Sequence, residues 1–215
     1  PANTIASRAG GNLTHGIVYS YSNIRLHHSV TLTLGVSADL RSGEDQTVTG
    51  KAQVNPKFGL LWNPLPNTLI RLGAFQEMKR ALVTNQTLEP TQVAGFNQFF
   101  DDLNGSSAWR YAAGINQKIT QSFVVGGEGS IRDSKNPVTD LTNPLLVNRL
   151  PWHEYEAQGY AFWTPHDWLA LRAEYRWSRV VRNQQFTDGA LEVNTHRVPL
   201  GVKVFHPSGL GAFIT

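Results

Sequence analysis

The stretch VTLTLGVSADLR, Val30 to Arg41, divides into two chemically opposite sets. Val30, Leu32, Leu34, Val36, Ala38 and Leu40 share one parity, and Thr31, Thr33, Gly35, Ser37, Asp39 and Arg41 share the other. Successive side chains point to opposite faces of a strand, so this segment makes one greasy and one polar face, whereas a helix would mix the two sets. The same split recurs from Trp168 to Ser178, where Leu169, Leu171, Ala173, Tyr175 and Trp177 oppose Ala170, Arg172, Glu174, Arg176 and Ser178. It recurs again in Trp109 to Asn116, Phe123 to Arg132 and Arg197 to Val204.

The connections between these runs alternate in length. Short, turn-rich links occupy His27 to Ser29, Asn63 to Asn67, Lys118 to Gln121, Thr164 to Asp167 and His206 to Gly209. Long polar links occupy Ser42 to Gln53, Lys79 to Ser107, Asp133 to Pro151 and Asn183 to Asn194. Outer-membrane barrels have this asymmetry, with tight turns at the periplasmic rim and long loops outside. Candidate strands run about nine to thirteen residues, near the length of a tilted membrane strand. Trp62, Phe123, Trp163 and Trp168 sit beside the short turns, while Trp109, Tyr111, Tyr155 and Trp177 lie toward the long loops, as two interfacial girdles require. The expected fold is all-β, an antiparallel up-and-down transmembrane β-barrel with about ten strands visible. Residues 1–215 then form a single β-barrel domain or a fragment of one. A soluble sandwich also alternates and needs large inward aromatics, which keeps a soluble β-sandwich or barrel binding module as an alternative.

Composition narrows the classes. Hydrophobic residues make up 40% and charged residues 16%, with 16 rings from Phe and Trp and no Cys, so disulfide frameworks and thiol-ligated metal sites are excluded. The net charge of +3 is spread along the chain, without the basic stripe that nucleic-acid binding needs. No apolar run is long enough for a membrane helix, and Pro1 to Gly11 lack the charged start and apolar centre of a signal peptide. With periplasmic short turns, Pro1 would begin in an external loop and Leu210 to Thr215 would be too short to cross. The reading from the ends is thus an internal portion of a larger barrel, of at least twelve strands.

The segments NPKFGLLWNPLPNTLIRLGAFQEMKR (Asn55 to Arg80), its continuation to Asp102, YAFWTPHDWLALRAEYRWSR (Tyr160 to Arg179) and THRVPLGVKVFHPSG (Thr195 to Gly209) resemble the barrel portions of large Gram-negative outer-membrane proteins. These include TonB-dependent-receptor-like barrels and barrels that follow tetratricopeptide repeats. The resemblance covers about four fifths of the chain and is specific for architecture rather than substrate. It implies the bacterial outer membrane, contact with outer-membrane lipid, and transport or export of a small-molecule or polysaccharide solute. It also implies a possible partner in a periplasmic or tetratricopeptide-repeat domain. The plug and energy-coupling box of a TonB-dependent receptor are not visible in the sequence.

Charges on the polar parity are the candidate lumen lining: Arg71, Arg110, Glu128, Glu154, Glu156, Arg172, Glu174, Arg176, Arg197 and Lys203, with Asp39 and Lys57. Barrel interiors are polar in any case, and such charges brace the wall as readily as they select a solute. Glu154 and Glu156 are the expected cross-strand partners of the Arg172, Glu174, Arg176 ladder. In the long Lys79 to Ser107 link, Phe96, Phe99 and Phe100 are candidates to fold inward as a constriction or to meet a ligand, with Asp101 and Asp102 beside them. A hydrolase using Asp101, Asp102 and His153 in the long loops is the enzymatic alternative. Adjacent carboxylates on an extended segment point opposite ways, however, and no metal-binding histidine spacing or nucleophile elbow is present. No cofactor and no metal are expected.

Overall fold

In the computed structural model, the described residues are 13–43, 52–80, 89–98, 100, 102–139, 147–182 and 190–214. They form β1 (Leu13–His27), β2 (Val30–Gly43), β3 (Ala52–Leu65), β4 (Thr68–Met78), β5 (Gln92–Val93), β6 (Phe96–Asn97), β7 (Ser107–Lys118), β8 (Phe123–Thr139), β9 (Val147–His166), β10 (Leu169–Arg182), β11 (Glu192–Arg197), β12 (Leu200–Phe205) and β13 (Gly211–Ile214). One sheet runs β1-β2-β3-β4-β7-β8-β9-β10-β12-β13, with β11 also on β10, and every pairing is antiparallel between chain neighbours. This is the all-β up-and-down arrangement. Strands β11 and β12 keep one register against β10, Arg176 opposite Arg197 and Ala173 opposite Leu200. They are one strand interrupted at Pro199, which has no N–H to donate although its carbonyl accepts from Glu174 N at 2.9 Å. Counted so, the sheet has ten strands.

Burial is inverted relative to a water-soluble domain. On the greasy parity Val36, Val54, Phe58, Ile131 and Trp163 are 42%, 60%, 47%, 46% and 47% exposed, while Asp39, Asn55, Lys57 and Arg132 are 0%, 0%, 1% and 3% exposed. Soluble folds almost never bury Lys, Asp or Arg fully while leaving a continuous band of Val, Leu and Phe outside. The outer band has polar borders. Near the short turns it ends at Trp62, Trp163 and Trp168, all more than two fifths exposed. At the far end Tyr111 and Tyr175 mark the level above which the outer face turns polar, with Asp133 accepting from His153 at 2.6 Å and Arg179 donating to Glu192 at 2.8 Å. Tyr155 and Trp163 are eight residues apart on the same face of β9, about 26 Å along the strand at roughly 3.3 Å per residue.

Register irregularities fall at Arg25/His27, Trp62/Leu65 and Leu169/Leu171, each beside a short turn. Bulges gather at the rims of barrels, where they tighten the bend.

One expected long link is overturned. Asp133 to Pro151 is mostly strand: β8 and β9 stay paired from Asp133 opposite His153 as far as Thr139 opposite Val147. Above the aromatic level both faces carry polar residues, Asp133 and Lys135 exposed on one and Ser134 and Asn136 buried on the other, so the strands continue without the apolar parity that announces them lower down. The Lys79 to Ser107 link likewise contains the hairpin β5–β6.

Candidate functional site

The β5–β6 hairpin turns inward. Ala94 and Gly95 have φ of 49° and 83°, so both central residues of its two-residue turn are left-handed, as the tightest hairpin connection requires. Val93 and Phe96 face each other across the hairpin and are 0% and 2% exposed. They lie on the inner face of β3 and β4 where that wall has glycines. A Cβ on Gly59 would sit 3.0 Å from Val93 Cγ1, and one on Gly73 would sit 2.9 Å from the Phe96 ring. With Phe75, Ala94 and Ala112 they form the buried apolar cluster, flanked by Tyr21 and Leu61. Burying a Val or Phe contributes roughly 1.5–3 kcal/mol, which offsets part of the cost of ordering the hairpin.

Ionic clamps fix the ends of the inward segment to the wall. Arg80 donates from Nε to Asp39 Oδ1 at 2.6 Å and from Nη2 to Glu89 Oε2 at 2.7 Å, all three side chains being buried. Asp39 also accepts from Asn55 Nδ2 at 2.7 Å and lies 2.8 Å from His15 Nε2, and Glu89 accepts from Tyr21 Oη at 2.6 Å. Burial draws the Arg80 guanidinium's pKa down, but the two carboxylates outweigh it and hold it above the usual arginine range. Beyond the hairpin, Arg132 donates to Glu77 at 3.0 Å, to Glu154 at 2.9 Å and to Asp102, with the Phe100 ring 4.4 Å from its guanidinium carbon. The segment touches strands far apart in the sheet: Gln98 Nε2 donates to Tyr21 Oη on β1 at 3.1 Å, and Arg110 on β7 donates to the Asn97 carbonyl at 3.2 Å. β1 and β7 are four steps apart in the sheet order, about 19 Å if flat, so the wall curves around the hairpin.

Beside the hairpin lies an open cavity of about 430 Å³ whose lining includes Phe96, Arg110, Glu128, Glu156, Arg176 and Arg197. Its carboxylates are committed. Glu128 accepts from Arg71 Nη2 at 2.7 Å and Glu156 from Arg110 Nη2 at 3.0 Å. Arg71 also donates to the Gly95 carbonyl at 3.3 Å and carries the Phe96 ring 4.8 Å from its guanidinium carbon.

Five of the ten lumen candidates, Arg110, Glu128, Glu156, Arg176 and Arg197, line this one cavity. Arg71 and Glu154 lie in the clamps behind the hairpin, and Arg172 with Lys203 borders a separate cleft toward β13. The expected pairing of Glu154 and Glu156 with the β10 ladder is wrong. Both turn to the other side of β9, toward Arg132 and Arg110, while Glu174 serves Arg172 and Arg176 on its own strand, the latter at 2.7 Å. Of the loop candidates, Phe96, Phe100 and Asp102 face the inner wall, whereas Phe99 and Asp101 lie outside the described residues. Asp102 and His153 are not brought together. Asp102 is bound to Arg132 on the inner face, and His153 pairs with Asp133 on the outer face. Tyr21, Glu77, Arg80, Glu89 and Gln98 form much of the network without having been candidates. Glu77 carried a signal, since it has the polar parity of Arg71 on β4, but Arg80, Glu89 and Gln98 lie in a link without periodicity.

No family model matches the chain, and no curated protein does. Among solved structures it is similar to a point mutant of the ferric enterobactin receptor of Pseudomonas aeruginosa, with TM-score 0.47 and 12% sequence identity, over 89% of this chain and 37% of that one. The chain thus spans little more than a third of that receptor chain.

Proposed function

We propose that this chain is part of the wall of an outer-membrane β-barrel that passes a hydrophilic solute along its polar inner face, with the β5–β6 hairpin narrowing the path. The observation that carries this reading is the inverted burial: an apolar outer band bordered by aromatic rings and then by polar pairs, around an inner face of buried ions. Exposed apolar area of that extent is costly in water and favourable against hydrocarbon. Strands satisfy their backbone groups in lipid only within a paired sheet, so membrane crossing by this chain requires barrel geometry. The open cavity beside the hairpin supplies a water-accessible stretch of the path, and outer-membrane lipid is the partner of the outer face.

The test is conductance of the full-length protein in planar lipid bilayers, compared with Arg80→Ala, which unlatches the inward segment from β2. Stepwise conductance that rises in the variant is the expected result. A protein that is monodisperse without detergent and inserts no conductance, with or without Arg80, would overturn it.

A further inference from the structure

We infer that the inner face of β10 and β11 carries a binding site for a tetrahedral oxyanion group, a phosphate or sulfate, built from Arg176, Arg197, Ser178 and Thr195. Resting on the solute-path reading above, it adds the chemistry of what the path holds.

Arg176 and Arg197 are direct cross-strand partners, and so are Ser178 and Thr195, two positions further along the same face. All four line the cavity. Cβ atoms of opposed residues lie about 4.5–5.5 Å apart, and like charges so placed repel, so the arrangement destabilises the wall unless something negative lies between them. The chain supplies too little. Glu174 alone serves both Arg172 and Arg176, so these two arginines, Glu174 and Arg197 together carry two uncompensated positive charges. Glu156 on β9 stands opposite Ser178 and Glu128 lies one strand further on β8, but both carboxylates are already held, by Arg110 and Arg71. Among the described residues, Arg197, Ser178 and Thr195 have no hydrogen bond or ion pair from their side chains. The Nε of Arg110, on the same cavity, is buried without a hydrogen-bond partner. Donors and positive charge therefore exceed the acceptors at hand, all of which are already engaged. Two guanidiniums each offer a fork of N–H groups and two hydroxyls complete the set, which matches a doubly charged tetrahedral oxyanion better than a planar carboxylate.

The experiment is calorimetric titration of the full-length protein in detergent with inorganic phosphate, inorganic sulfate and acetate. Phosphate and sulfate are expected to bind, acetate more weakly, and the tighter of the first two identifies the ester class. Arg197→Gln should weaken the preferred anion about tenfold, the loss of one charge-assisted contact set. Lys203→Gln, outside this cavity, should stay within about twofold. Folding is not the obstacle for Arg197→Gln, because removing one of two opposed charges relieves repulsion. Without anion the variant should unfold at a higher temperature than the wild type, and phosphate should raise the wild-type temperature more than the variant's. Equal phosphate and sulfate binding by wild type and Arg197→Gln overturns the site, even where conductance is intact. Anion binding lost in Arg197→Gln in a protein that conducts nothing leaves the site standing and removes the transport reading.

Discussion

The inner face is built in two ways along one sheet. From β2 to β8 it is filled: Asp39, Lys57 and Arg132 are nearly inaccessible, and each has hydrogen-bond or ionic partners on other elements. From β10 to β13 it is open, with the Arg172 and Arg176 side chains 43% and 48% exposed, and Arg197 and Lys203 exposed beside them. Alternation is equally strict in both regions, so alternation does not decide the difference. What decides it is whether a second layer lies over the face. Over β2 to β8 the hairpin excludes water, and every charge must then be matched, since an unmatched buried ion costs several kcal/mol. Over β10 to β13 water remains and screens the surplus positive charge, which lowers its cost without removing it.

If that contrast is right, the largest effect of a single truncation belongs to Arg132. Arg132→Ala strands the carboxylates of Glu77, Asp102 and Glu154 around a cavity. It should cost about 3–5 kcal/mol in urea unfolding followed by tryptophan fluorescence in detergent. Arg176→Ala, by the same measurement, should cost under about 1 kcal/mol, because its exposed head is only partly desolvated. Comparable losses at the two sites would dissolve the distinction.

Next in size is the fit of the hairpin itself. Gly73→Val places branched carbon where the Phe96 ring lies, 2.9 Å from the first added atom. Overpacking of this kind costs about 1–3 kcal/mol. Because the hairpin is joined to the wall through side chains while the wall is held by continuous backbone ladders, the strain should appear as faster proteolysis within residues 79–106 rather than as loss of the sheet. An unchanged cleavage rate would mean that the wall, not the hairpin, yields.

How much of this the sequence disclosed follows the same divide. Strand faces within the apolar band were legible because parity is a local property, readable from VTLTLGVSADLR alone. Residues Asp133 to Thr139 were not, because the buried side chains of DSKNPVT, Ser134 and Asn136, are polar and no apolar parity marks it, and its strand character comes from pairing with Val147 to His153. The ionic partners were legible only as a set. Glu154 has a neighbour strand on each side, and parity assigns it to the inner face without choosing β8 or β10. The choice fell to Arg132 because the register sets Arg132 directly opposite Glu154 on β8 and only Val180 opposite it on β10. The Arg80 clamp joins residues 41 positions apart through a link with no period, and it depends on the wall curving around the hairpin. The open site around Arg197 was legible as residues, and became a site only when register put Arg176 opposite it.

The finest test of the contrast is a pair of substitutions within the open region. Arg172 and Arg176 share Glu174, whose side chain is 7% exposed, so the carboxylate is the buried member and the arginine heads are the wet ones. Arg172→Ala leaves Glu174 held by Arg176 and removes one of several neighbouring positive charges. The lost ion pair and the relieved repulsion oppose each other, and the net change should be within about 0.5 kcal/mol. Glu174→Gln removes the compensating charge instead and leaves both arginines with Arg197 nearby, so it should cost about 1 kcal/mol more than Arg172→Ala at low ionic strength. In 1 M salt, where the screening length is about 3 Å, most of that gap should close. Over the filled region a much weaker salt dependence is expected, since Arg132 and Glu77 are buried and four fifths or more of the Asp102 and Glu154 side chains is covered. A gap that survives 1 M salt would mean that water is excluded over β10 as well, and the two regions would then be built alike.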